Sequence, residues 1–410
     1  MLLHELPAEV LLHILASAGS LSDLQALAET SRRIHSIFQL EQSSLVYQVL
    51  ANELGPVLAD ALGLSYIQAL DALSPTFVEQ AESAVSSYAQ LLEAGGDVGS
   101  HPLLPRRPAW DSVLRLARSF RAMAYMASVY LTSTLRLIER ETRQSRDDPE
   151  VAFRALARPS ATERLRAVRA HYRLQMLLHL WECARADDSR HLSTVNGLCA
   201  LLFALWEPWE LQQVFGLGAF YMRLRPVVGR HPFQDQMVRR DVTGREGFYC
   251  FDAFRTHIRF LRLTNEPVWQ ATVAAMSNPP PGLEATGQAE EGRLAWFRFK
   301  LYDCYGAALH APPPPEPPLS LRFTPGQEHV DNVPFAWVDA FDGRYGNNFW
   351  RLDGAPIREK GVSAVGIWSL LGMVMWDAPR AEALKEVSVA LSSHCAKGWA
   401  LLGTRNEHYY

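Results

Sequence analysis

The sequence predicts a mainly α-helical chain: three short N-terminal helices followed by a larger, mostly helical domain with some irregular or β-like loops. Three observations predict it. Apolar residues recur at helical spacing through most of the first 224 residues. Proline- and glycine-rich stretches punctuate those periodic segments and suggest breaks between elements. No internal repeat is visible, which leaves leucine-rich, propeller and solenoid architectures unsupported.

The first element, "LPAEVLLHIL", carries more apolar residues than one buried face needs. At 100° per residue Val10, Leu11, Ile14 and Leu15 form one stripe, while Leu12 falls outside it. Leu6 and Pro7 lead into its first turn, where proline is tolerated, and Glu9 lies near the positive helix start. The helix should end near Ser17, at "SAGS". Either the segment is wholly buried or a partner covers its second side. Ser20 then caps a second helix with Asp23 completing an approximate capping box, and Leu21, Leu24, Leu27 and Ala28 recur at helical spacing. In the third, "SRRIHSIFQL", Ile34, Ile37 and Phe38 share a face while Arg32 and Arg33 point to solvent.

Helical patterning continues through "SSLVYQVLANEL" and 65–93, then reaches a glycine- and proline-rich hinge at 93–108. Residues 109–146 and 160–186 read as long amphipathic helices separated by "DDPE" and "RPS". A buried helix, a break at Pro208 and another helix follow over 195–224. Helix is favoured over 249–275, loops over 277–292 and 310–320, and helices again over 362–376 and 379–394. The expected divisions are 1–50, a helical connector at 51–108, and a helical domain at 109–410.

Bulk properties narrow the function classes. The chain has 410 residues, 48% hydrophobic and 20% charged, an ordinary soluble composition. Its formal charge of −4 argues against a general nucleic-acid binder. The longest uncharged stretch, 361–376, is shorter than the ~20 residues of a membrane-spanning helix, so no membrane partner is expected. Five scattered cysteines without a CxxC fit a reducing compartment, cytoplasmic or nuclear. Lysine is rare: Lys300, Lys360, Lys385 and Lys397 are the only four, against 36 arginines.

No Walker A, GxSxG, HExxH or GxGxxG pattern occurs, so no catalytic residue and no cofactor is assigned. His171, His179 and Cys183 share helical spacing, but a tetrahedral metal needs more ligands, and a packed face is favoured over a metal site. Glu207 and Glu210 flank Trp209 beside a proline-broken helix start, where carboxylates serve as caps. Trp206, Trp209, Phe215, Phe220 and Tyr221 read as core. Residues 106–173 hold fifteen arginines against seven acids, read chiefly as solvated helix faces, with a basic binding face as the alternative. "PPPPEPP" at 312–318 is a polyproline segment favoured as a stiff linker. The turn-rich, aromatic stretch 335–354 supplies the candidate target-binding residues Trp337, Tyr345, Phe349 and Trp350.

The N-terminal segment resembles an F-box. The matching positions are Leu6, Pro7, Glu9, Val10, Leu11, Ile14, Leu15, Asp23, Leu24, Thr30, Ser31 and Arg32; Ala18 and Ile34 depart from the family's usual leucine and tryptophan. The resemblance implies a Skp-type adaptor bound through Leu6, Pro7, Val10, Leu11, Ile14, Leu15 and Leu24, with a cullin scaffold behind it. It implies a non-catalytic substrate receptor of a ubiquitin ligase, with an unknown protein target. An F-box-like scaffold acting outside a ligase is the alternative. On this reading Leu11→Asp should abolish adaptor binding, and self-modification should be confined to the four lysines and the N-terminal amine. More loosely, "ERLRAVRAHYRLQMLLHLW" (163–181), "PWELQQV" (208–214) and the Trp376–Asp377 step are similar to filamentous-fungal F-box proteins of unknown target.

Overall fold

The computed structural model describes residues 3–95 except 72, 108–144 and 149–186, most of 198–220 and of 328–336, and 372–384. Among these the chain is mainly α: 80% are helical and none is in a strand. The expected target-binding residues Trp337, Tyr345, Phe349 and Trp350 lie outside the described residues, as do the segments 249–275, 277–292 and 310–320.

Helices with defined ranges among the described residues are α1 (Ala8–Ala16), α2 (Leu21–Ala28), α3 (Arg32–Leu40), α4 (Gln42–Leu54), α5 (Leu58–Gln68), α6 (Phe77–Glu93), α7 (Trp110–Gln144), α8 (Pro149–Ala155) and α9 (Ala161–Ala186), and a further helical stretch covers 378–384. The chain divides into two compact units. The first comprises Met1–Ala124 with Tyr172–Leu205, and the second Tyr125–His171 with Trp206–Tyr410. Their boundaries fall inside α7 and α9.

Local chemistry sets the starts of the short helices, with Ser20 capping α2 as expected. Ser20 Oγ accepts from the Asp23 N–H at 3.1 Å and donates to its carboxylate at 2.7 Å. Ser31 Oγ accepts from the Ile34 N–H at 3.2 Å. Each satisfies one of the orphan donors at a helix start. The continuous helical pattern over 65–93 is broken, however, between α5 and α6. Pro75 lacks the N–H a helix needs. Asp71 Oδ1 accepts from Leu73 N–H at 3.0 Å and Ser74 Oγ accepts from Thr76 N–H at 3.3 Å, so side chains outcompete the helical ladder there. A short extra helix, α8, occupies part of the gap read as "DDPE" to "RPS".

α5 is buried around its whole circumference, including Asp60, and runs along α6. Asp60 is satisfied from two sides: Tyr88 donates its hydroxyl at 2.6 Å, and Arg173 Nε donates at 2.6 Å. Tyr88 reaches Asp60 because its ring lies flat over Gly63, one turn on. A Cβ at Gly63 would stand 2.4 Å from Tyr88 Cδ2. Gly63→Ala should therefore destabilise the first unit by about 1–3 kcal/mol despite alanine's better helix propensity. Gly19→Ala, where the nearest atom is 3.6 Å away, supplies the control. Denaturant titration of both variants checks this; equal midpoints would contradict it.

Late in the chain the expected helix over 362–376 does not extend to Trp376. Gly372 takes a positive φ of 65° and Met373–Met375 form a single 3₁₀ turn, after which residues 378–384 are helical. A Cβ on Gly372 would meet the Tyr130 hydroxyl at 2.7 Å. Both the backbone and the space require glycine at this stop.

Candidate functional site: the outer face of the first three helices

The clearest unpartnered surface lies on α1 to α3. α1 packs against α2, α3 and α4, and buries Leu11 and Leu15 with Leu24 and Ala28 of α2 and Ile34 of α3. That core is too narrow for all the apolar residues of α1. Val10 sits ~100° around the helix from Leu11 and is 42% exposed. Pro7 is exposed, and Leu6, Leu12 and Ile14 are half-buried. Leu3, just upstream, and Leu40, at the end of α3, are also exposed.

The residues read as one adaptor-binding set are therefore split. Leu11, Leu15 and Leu24 are buried in the core of these helices. Leu6, Pro7, Val10 and Ile14 stay accessible. Leu11→Asp consequently no longer isolates docking, because it places a charge where 1% of the residue is exposed. Helical spacing alone could not separate these groups, since the width of the buried face depends on what packs behind it.

What packs behind it is α4, and sequence reading missed its role. Two adjacent residues hold the turn between α1 and α2. Asn52 Nδ2 donates to the Ala16 carbonyl at 2.9 Å, and Glu53 Oε2 accepts from the Leu21 N–H at 3.1 Å. One orphan acceptor at the end of α1 and one orphan donor at the start of α2 are thereby satisfied by α4. Burial pushes the Glu53 carboxyl upward, and the Leu21 N–H pulls it partly back. The first three helices are thus fixed on the following helix and not left on a tether.

The other candidates resolve as packing. His171 is fully buried, lies 2.6 Å from the Ala167 carbonyl through Nδ1, and burial pulls its pKa down to about 4. Among the described residues no cluster suited to a metal occurs. A prediction follows from the sign of that shift. Between pH 6.5 and pH 4 the unfolded chain takes up a proton that folded His171 refuses, so stability falls on acidification by up to ~1.4 kcal/mol per pH unit. Asp377, raised by burial, works in the opposite direction near the acidic end. Denaturation midpoints of wild type and His171→Asn across this window should differ in slope; parallel profiles would contradict the assignment. Glu210 caps its helix as expected, accepting from the Glu207 N–H at 3.0 Å, and Trp206, Trp209 and Phe220 are core.

In the second unit the three loosely matched motifs meet in a buried ionic cluster. Glu163 accepts from Arg380 Nε at 3.0 Å and Nη2 at 3.1 Å, from the Asp377 N–H at 3.0 Å and from the Ser160 N–H at 2.9 Å. Arg166 pairs with Asp377 at 2.8 Å, and Arg169 with Glu210 at 2.7 Å and Asp331 at 3.0 Å. Arg380 also donates to the Ala155 and Ala157 carbonyls, at 2.6 and 2.7 Å, and lies 4.8 Å over the Trp376 ring. Gln213 donates to the Val374 carbonyl at 3.0 Å. Every acid here accepts from a cation or a backbone donor, which marks structural pairing.

No family model matches the chain, and neither a curated protein nor a solved structure is found to be similar to it. Among the described residues no helix is long and apolar enough to cross a membrane.

Proposed function

We propose that this protein is the substrate receptor of a Skp–cullin–F-box type ubiquitin ligase, acting in the cytoplasm or nucleus, with α1 to α3 as its F-box. The observation that carries the reading is the outer face of α1. After the helices have satisfied their own core, Pro7 and Val10 remain exposed, Val10 at 42%, and Leu6 and Ile14 stay half-buried. Covering them adds part of the ~1.5–3 kcal/mol that fully burying an exposed aliphatic side chain contributes, Val10 gaining the most. A Skp-type adaptor is the occupant that the matched motif implies.

The protein would catalyse nothing itself. The adaptor would hold the first unit, and a target bound elsewhere on the chain would be presented to the ubiquitin-conjugating enzyme, so that rate is gained by proximity. The clamp of Asn52 and Glu53 on the α1–α2 turn suits this role, because a docked F-box on a loose tether would not position anything.

Co-purification with a Skp-type adaptor tests the reading. Wild type should be captured stoichiometrically, and the Leu6→Ala, Pro7→Ala double variant should not. Failure of a folded wild-type chain to bind would overturn the proposal and leave a scaffold role.

A further inference from the structure

Among the described arginines of 106–173, two sets stand apart. Arg166, Arg169 and Arg173 are buried, each against a carboxylate. Arg115, Arg118 and Arg121, on the N-terminal half of α7, are exposed, and among the described residues none of them forms an ion pair. Spaced at i, i+3 and i+6, they sit on one side of the helix over roughly 9 Å of its length. Arg115 Nη2 donates only to Ser112 Oγ, at 3.1 Å, and Arg121 acts on Glu53 through space. Within the N-terminal half of α7 itself the one acid is Asp111, at the helix start; Glu53 of α4 is the acid that Arg121 faces.

Two further features distinguish this face from an ordinary solvated one. The opposite side of the same turns is locked into the core through Val113, Leu116, Ala117, Phe120 and Met123, so the guanidinium groups project from a rigid base. Trp110, 37% exposed, and half-buried Leu114 continue the row at i and i+4 before Arg118. Tryptophan and arginine side by side are the residue types that carry most binding energy at protein interfaces.

We infer that the N-terminal half of α7 docks an acidic peptide segment of a partner protein, an apolar residue seated near Trp110 and Leu114 and carboxylates meeting Arg118, Arg121 and Arg115. Guanidinium groups match carboxylates in geometry as well as charge. Three arginines make too small a patch for a duplex, and the net charge of −4 opposes one. The inference does not depend on the adaptor reading.

Fluorescence polarisation on the full chain tests it, using a labelled leucine–hexaglutamate peptide, its hexaglutamine counterpart and a labelled DNA duplex. The glutamate peptide should bind and the glutamine peptide should not. Arg115→Glu with Arg118→Glu should weaken binding at least about tenfold, and Arg164→Glu, an exposed arginine of the second unit, should leave it unchanged. Raising salt should weaken the wild-type complex, a readout that needs no variant. No binding of the glutamate peptide, equal binding by the double variant, salt-independent binding, or tighter binding of DNA would each overturn the inference.

Discussion

Glu163→Ala is expected to destabilise the second unit by about 3–5 kcal/mol, the cost typical of leaving one partner of a buried ion pair alone. Glu163 is 2% exposed and accepts four hydrogen bonds, two of them from the Arg380 guanidinium. Without it the Arg380 charge stays buried with only the Ala155 and Ala157 carbonyls and the Trp376 ring as partners. The Ser160 and Asp377 N–H groups lose their acceptor as well. Denaturant titration followed by tryptophan fluorescence measures the effect. A loss below about 1 kcal/mol would mean that the cluster is not what joins 372–384 to α9.

The second large effect concerns α1. Val10→Asp combined with Pro7→Asp, both at exposed positions, should weaken adaptor binding at least 100-fold, roughly 3 kcal/mol, while leaving the melting temperature of the chain nearly unchanged. Leu11→Asp, one residue from Val10, should behave in the opposite way and lower the melting temperature sharply, since Leu11 is 1% exposed. Binding and thermal melts on the same three preparations separate the two roles. Unchanged adaptor affinity in the double variant would remove the outer face from the interface.

The contrast between Val10 and Leu11 also shows where sequence reading reached its limit. Period placed α1 to α4 closely, and the cap at Ser20 placed the start of α2, because it depends on a residue three positions away. Which apolar residues of α1 turn inward depends on α4, and nothing within residues 6–15 encodes that. Likewise, "RLRAVRAHYR" reads as a basic solvated helix face, yet Arg166, Arg169 and Arg173 are buried. Their acids come from Asp60, Glu210, Asp331 and Asp377, distant in sequence, so spacing could not reveal the pairs. The apolar residues of α9 accordingly show little amphipathic pattern, a signal that residues 166–177 are buried on every side. The break between α5 and α6 was legible in Pro75 and Asp71 and was obscured by the apolar run on either side.

Amide hydrogen exchange of the full chain, alone and with a saturating Skp-type adaptor, tests the central claim most directly. The account predicts new protection concentrated in residues 3–17, the segment carrying Leu3, Leu6, Pro7, Val10 and Ile14. Binding with protection confined elsewhere, or no binding by the folded chain, would contradict it.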